Sequence, residues 1–409
     1  LSQVLQKNYK NYTKDTPGYK ALQLSAGNGL LTSDGDTWLR QRRTIQPSFK
    51  KERIDKLDQG INIAVSEILK RWENVEEVDI DRVMTGAMRG LAEGLDAEST
   101  FLTQDDVAAL ESGAPLPEGQ TGITLTRQYY LRVLSARDES TAAVAGLRPG
   151  DYIRAIDGES TRNMSIFEGN RLLRGSVGST VTLTVIRGNA SEPQEIVLER
   201  TPVGSSIVRS RLAAADIGYL RLMAFDRGIA DDIVSEVDSL TGAGARQLII
   251  DLRGTADGNF THGLEAARLF VGSGTLAIRQ RRGEPQDLTV AQAGDGSIGL
   301  PTVILIGAGT SGAAELFASA LATNGRAELI GGRTFGRVAE QRLIKLVDGT
   351  GLWLYWAKYL TATGEPLHRE GLEPSVAVAE PSLVLGAALP DVDPVLEKAL
   401  EQLAADRAT

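Results

Sequence analysis

The chain has 409 residues, 42% hydrophobic and 24% charged, with a formal net charge of −9; this is the balance of a globular protein of about two to four domains. It contains no cysteine and only two histidines, His262 and His368, which excludes disulfides, thiol nucleophiles, thiolate-ligated haem and histidine-rich metal sites. The acidic balance argues against a nucleic-acid partner, and no apolar run approaches the ~18 residues of a membrane helix.

Charge is unevenly spread. Residues 1–84 carry 14 basic and 12 acidic side chains, so the acidic excess lies beyond them, and a composition break falls near 72–86. The first 71 residues read as helices with loops: Ile54, Leu57, Ile61, Ile63, Val65, Ile68 and Leu69 follow a period closer to helical than alternating. Gly86–Leu95 reads as a short helix, followed by a capped turn at Leu102-Thr103. Val181–Val185 and part of Thr121–Leu125 alternate as strands. Between them lie a small helix ending in a Gly-rich turn (Ala142–Asp151), a strand (Tyr152–Asp157), the turn Asp157-Gly158 and a helix (Ser165–Arg174).

From residue 204 onward strands and helices alternate, the mark of an α/β core. The strands are Ile217–Leu222, Gln247–Leu252 and Val303–Ile306; the helices are Ile229–Leu240, His262–Phe270 and Ala313–Leu321. The apolar strand Val303–Ile306 runs through Gly307-Ala308-Gly309-Thr310-Ser311-Gly312 straight into a helix. Glycines there aim backbone N–H groups from a helix N-terminus, where an oxyanion or carboxylate is held well; the alternative is a plain tight turn. The G-x-G-x-x-G spacing lacks the acidic residue of a dinucleotide site.

Three resemblances accompany this pattern. Gly27-Asn28-Gly29-Leu30-Leu31-Thr32, Trp38-x-x-x-Arg42 and Gln46-Pro47-Ser48-Phe49 resemble part of a haem-thiolate monooxygenase (cytochrome P-450). Without a cysteine ligand, a fragment with no haem function is expected, either a gene fusion or an artefact of mixed DNA. Ala145-Gly146-Leu147-Arg148-Pro149-Gly150-Asp151 and Ile153-x-Ala155-Ile156-Asp157-Gly158 resemble a PDZ domain. Residues 86–400 as a whole resemble the carboxy-terminal processing (tail-specific) peptidases, through Asp251-Leu252-Arg253, Glu315, Asn324-Gly325-Arg326-Ala327, Thr334-Phe335-Gly336, Gln341 and Gly371-Leu372-Glu373-Pro374.

The expected fold is therefore α/β: a crotonase-like core of mixed sheet and helices (204–409) with an inserted PDZ domain (119–203), preceded by a helical lead-in (76–118) and an N-terminal helical fragment (1–75). The resemblance implies that Thr121, Gly122 and Ile123 form a carboxylate loop for protein or peptide C-termini, faced by Leu172 and Leu173; the alternative is a module that packs internally and binds nothing. It also implies a serine nucleophile and a lysine base at positions that here hold Gly312 and Arg337, with Gln341 as the orienting residue. Glycine has no nucleophile, and arginine stays protonated at neutral pH, so a catalytically impaired member is expected. The open alternative is a serine-type endopeptidase using the neighbouring Ser311, with His262 as a candidate base. The oxyanion site would comprise Asp257, Gly258 and Ala313, the carboxylate of Asp257 being electrostatically unhelpful there. Arg337 is expected either to hold a carboxylate together with the N–H groups of Gly312 and Ala313, or to pair with Asp257 or Glu315. No cofactor, metal or haem is expected. Membrane association stays open, and a cell-envelope or periplasmic location is suggested by the resemblance only. The chain starts at Leu1, so a missing upstream segment stays open too.

Overall fold

The computed structural model describes residues 79–113, 116–188, 192–202, 207–380 and 392–405, together with 67 and 385. The segment resembling a haem-thiolate monooxygenase lies outside the described residues, Glu67 apart. The chain divides into two compact units, 1–87 and 88–409. Of the first, the description covers Glu67 and the opening of helix α1 (Ile80–Glu93), where Asp79 Oδ1 accepts from the Arg82 N–H at 3.0 Å.

A lead-in follows: strand β1 (Thr100–Leu102) and helix α2 (Gln104–Glu111). Thr103 caps α2 and exchanges hydrogen bonds with Asp106, a reciprocal capping box. The next module is an antiparallel sheet of β2 (Ile123–Gln128), β3 (Tyr130–Ala136), β4 (Tyr152–Ile156), β5 (Glu159–Ser160), β6 (Thr180–Ile186) and β7 (Gln194–Glu199). Two helices complete it, α3 (Thr141–Val144) and α4 (Ile166–Leu173). Its core is Leu125, Leu131, Ile153, Leu183 and Val185 with Leu173 from α4. The alternation read in Val181–Val185 is the observed pattern: Val181, Leu183 and Val185 are buried and the threonines between them half-buried. Asp157 and Gly158, at φ 48° and 82°, form the two-residue turn between β4 and β5. The small helix read in Ala142–Asp151 is the single turn α3, ended by Gly146 at φ 79°, and the Gly-rich turn continues to Gly150 at φ 101°.

The α/β core begins with β8 (Val208–Ala214), β9 (Ile217–Leu222), β10 (Ala224–Phe225) and helix α5 (Ile229–Gly242). Then come β11 (Gln247–Asp251), β12 (Asp257–Gly258), helix α6 (Phe260–Arg268), β13 (Thr275–Arg281) and β14 (Asp287–Val290). The rest comprises β15 (Thr302–Ile306), helix α7 (Ala313–Thr323), β16 (Ala327–Gly331), β17 (Ala339–Lys345), β18 (Gly351–Leu360), β19 (Val376–Ala377) and helix α8 (Pro394–Ala405).

The main sheet runs β19-β16-β15-β11-β9-β8, parallel except for the β8–β9 hairpin. The central strands β11 and β15 are buried along their whole length because both faces are covered. Leu248, Ile250, Ile304 and Ile306 face α5, α6 and α7; Ile249, Val303 and Leu305 face Val395, Ala399 and Leu403 of α8. Asp393 accepts from the Val395 and Leu396 N–H groups, capping α8, and pairs with Arg253, which also holds Asp251 at the end of β11. A second, antiparallel sheet, β1-β18-β13-β14 with β17 on β18, ties the lead-in to the core. Among the described residues no helix is long and apolar enough to cross a membrane.

Beneath α7, Phe317 lies 5.3 Å from the Phe225 ring and 5.8 Å from the Phe270 ring, all three buried. Phe317→Ala is expected to lower unfolding free energy by about 3–5 kcal/mol, measured as a fall in the urea midpoint at unchanged slope.

Candidate functional site

The glycine run after β15 is pinned from below. The Thr310 hydroxyl donates to the Leu252 carbonyl (2.8 Å) and accepts from the Gly307 N–H (3.1 Å), while the Ser311 N–H donates to the Thr255 carbonyl (2.9 Å). The chain then turns sharply into α7 at Gly312, with φ 65° and ψ −121°. That conformation suits glycine and strains other residues, as at the nucleophile-bearing elbows of hydrolases.

Three positions along α7 lies Glu315, fully buried. Its Oε2 accepts from the backbone N–H of Gly312 (3.0 Å) and of Arg337 (2.9 Å); its Oε1 accepts from the Gly336 N–H and the Thr334 hydroxyl. Burial pushes this carboxyl above its ordinary range, and the four hydrogen bonds pull against that shift. One carboxylate thus brings together positions 312 and 337, far apart in sequence.

Both positions line a cavity of about 390 Å³. Gln341, Ala256 and Gly258 line it from the core, Glu98 and Tyr355 from the second sheet and lead-in. The PDZ-like module contributes Thr124 and Leu125 of β2 with Ile166, Phe167 and Asn170 of α4. The Arg337 guanidinium donates to the Leu125 carbonyl (3.2 Å) and lies 3.6 Å from Glu98 Oε1. Glu98 accepts from the Tyr355 hydroxyl on its other oxygen, and its carbonyl accepts from Gln341 Nε2 at 3.0 Å. Burial and the Glu98 charge hold the Tyr355 phenol far above its ordinary range, so Tyr355 acts as a donor.

These contacts correct several expectations. The Arg337 guanidinium pairs with Glu98 rather than with Asp257 or Glu315, which reaches only the Arg337 backbone N–H; Asp257 Oδ1 instead accepts from the Thr124 hydroxyl at 2.9 Å. The Gly312 N–H is taken up by Glu315, so it is not available to an anion. Ala313 is buried beside it at the start of α7. Ser311 is fully buried, its Oγ without a hydrogen-bond partner, and it does not line the cavity. His262 also lies outside the lining, its Nδ1 3.3 Å from the Phe225 carbonyl. Leu173 is in the module's core and Leu172 packs against that core; Ile166, Phe167 and Asn170 are the residues of α4 that face the cavity. Helical spacing alone does not say which stripe of a short helix meets its own sheet. Thr121 is buried, and Gly122 takes φ 78°, where a Cβ would stand 2.2 Å from the Ser140 Cβ; Ile123 opens β2. Glu98 and Tyr355 escaped the sequence reading. Glu98 is an ordinary acidic residue of the lead-in, and Tyr355 one of several aromatics in β18.

His368 is half-buried with its ring 4.6 Å from that of Tyr355. Burial, with the Arg369 cation adding to it, lowers its pKa to about 4.

The sequence profile of Peptidase family S41 matches residues 216–378, and that of the PDZ domain matches 132–187. The chain is 31% identical over 281 residues to the carboxyl-terminal-processing protease of Picosynechococcus sp., covering 68% of each chain. It is 28% identical over 322 residues to the carboxy-terminal processing protease CtpA of Bacillus subtilis, covering 78% of this chain and 68% of that protein. It therefore spans about two thirds of the length of these relatives. The solved photosystem II D1 C-terminal processing protease has the same fold, with a TM-score of 0.66 at 24% identity over 88% of this chain and 91% of that one.

Two outcomes are expected. Glu315→Gln sets an amide donor against backbone donors, and loss of at least one buried hydrogen bond lowers unfolding free energy by about 2–4 kcal/mol, read by urea titration. Because the His368 pKa is lower folded than unfolded, the unfolded chain binds more protons between about pH 4 and 6.5. Stability therefore falls as pH drops through that window, and His368→Gln flattens the slope of melting temperature against pH there. With its S41 core, its PDZ module and its carboxy-terminal processing relatives, the chain belongs to peptidase family S41, in the carboxy-terminal processing group.

Proposed function

We propose that this protein recognises peptide C-termini through its PDZ module and does not hydrolyse them, its peptidase centre being disabled. The observation that carries this reading is the pairing of Gly312 and Arg337 through Glu315 Oε2 at one cavity. The register there leaves no room for a neighbouring residue to take over. Gly312 provides no nucleophile, and Arg337 provides no base at neutral pH. The Arg337 charge is already met by Glu98, which supports a cleft filled by an internal ion pair rather than one poised to hold a carboxylate.

The recognition half rests on β2 and α4, which flank the cavity as a strand edge and a facing helix. An extended peptide would add to β2 by backbone hydrogen bonds, its terminal carboxylate at Thr121-Gly122-Ile123 and its last side chain against Ile166 and Phe167. The resulting affinity is on the order of micromolar, since such modules bury little surface.

The test joins binding to cleavage on unstructured peptides with apolar C-termini. The unmodified protein is expected to bind a free C-terminus and lose binding when it is amidated, with no turnover. Gly312→Ser with Arg337→Lys is expected to restore measurable cleavage, and either change alone is not. Cleavage by the unmodified protein that is abolished by Ser311→Ala would replace this reading with an active endopeptidase. Equal binding of free and amidated peptides would remove the carboxylate-loop role.

A further inference from the structure

A larger cavity, about 1260 Å³, lies between the PDZ module and the α/β core, floored by Gly307, Ala308 and Gly309. Its wall is rich in arginine on a chain whose net charge is −9. The PDZ module contributes Arg132, Arg148 and Arg187. The core contributes Arg209, Arg211, Arg221 and Arg253. Four carboxylates share the wall, and three are already engaged. Asp151 is held by Arg187 through two hydrogen bonds of 2.7 Å. Asp138 is gripped by Arg221 at 2.7 and 3.0 Å, and Asp251 by Arg253 at 2.6 Å.

Cations remain after these pairings. Among the described residues, the Arg148 guanidinium has no carboxylate partner, only its backbone N–H reaching Asp151. Arg211 lies over the Tyr219 ring, 4.5 Å from its centroid. Arg132 bonds to neutral acceptors, the Gly150 carbonyl and the Gln128 amide. Arg209 pairs with the exposed Glu139. The fourth wall carboxylate, Glu380, is exposed and forms no ion pair among the described residues.

Guanidinium forks suit phosphate and carboxylate oxygens, and low-dielectric walls focus their combined field on the enclosed volume. Here they arrive from two facing domains, a geometry that fits a compact multivalent anion better than an extended chain. We infer that this cavity is a binding site for a small polyphosphorylated ligand, held chiefly by Arg148 and Arg211 between the PDZ module and the core. It is separate from the cavity of Gly312 and Arg337, and the inference does not depend on the state of that centre.

The experiment is calorimetric titration of the full chain with tripolyphosphate, with sodium chloride at matched ionic strength and an oligoglutamate peptide as comparisons. Saturable binding of tripolyphosphate is expected, weakened at least tenfold in Arg148→Ala/Arg211→Ala and tightened several-fold in Glu380→Gln. If the double alanine variant fails to fold, Arg148→Lys/Arg211→Lys keeps the charge but loses the forks, and weakening is still expected. Heats no larger than those of sodium chloride, or undiminished affinity in the folded double variant, would overturn the site. Oligoglutamate binding as tightly as tripolyphosphate would overturn the assignment to a compact polyphosphate.

Discussion

The Glu315 carboxylate is the constraint on which the site depends. A single buried side chain accepts from Gly312, Thr334, Gly336 and Arg337, and so joins the loop after β15 to the loop after β16. Neither loop has regular structure to satisfy its own N–H groups. Without the carboxylate, buried donors would face no acceptor. Thr334 extends the same network by accepting the Leu372 N–H at 2.7 Å, which draws in the Gly371-Leu372 segment. The two loops are therefore held in one arrangement, and the positions they present to the cavity are Gly312 and Arg337.

Each of these two residues has a physical consequence. At φ 65° and ψ −121°, a serine would hold about 1–3 kcal/mol of backbone strain, which glycine avoids. A Cβ added at Gly312 would meet nothing nearer than 3.8 Å, so space does not forbid the serine. Arg337 brings a permanent charge into a half-enclosed site, and Glu98 with the Leu125 carbonyl meets it. Three parts of the chain, the lead-in, the PDZ module and the core, thus meet at one guanidinium.

The PDZ module touches the core at charged points. Asp138 lies on Arg221, Thr124 on Asp257, and Glu139 on Arg209. Arg221 is itself buried and also donates to the carbonyl of Asp251 and the hydroxyl of Thr255, so the module is anchored to the floor of the core sheet. An interface held by ion pairs of this kind weakens with salt more than one held by apolar burial.

Much of this was legible in the residues. The apolar runs of β11 and β15 and the 3.6-residue spacing of α5 declare strands covered on both faces and helices with one buried face. Asp157-Gly158 declares its turn, and the motif run from Asp251 to Pro374 declares the family. The expectation that Gly312 and Arg337 stand where a serine and a lysine would act came from the same residues, because Glu315 and Thr334-Phe335-Gly336 set the register on either side. What the sequence could not give were contacts between residues far apart in the chain: Glu98 against Arg337, Tyr355 on Glu98, Asp257 on Thr124. Ser311 and Gly312 are neighbours in sequence, yet one is sealed in the interior and the other opens on the cavity. Local pattern determines which residues form strands and helices, since periodic burial leaves a one-dimensional trace. Which charge meets which is decided only when the sheets and loops close, because electrostatic and hydrogen-bond partners are chosen by distance in space.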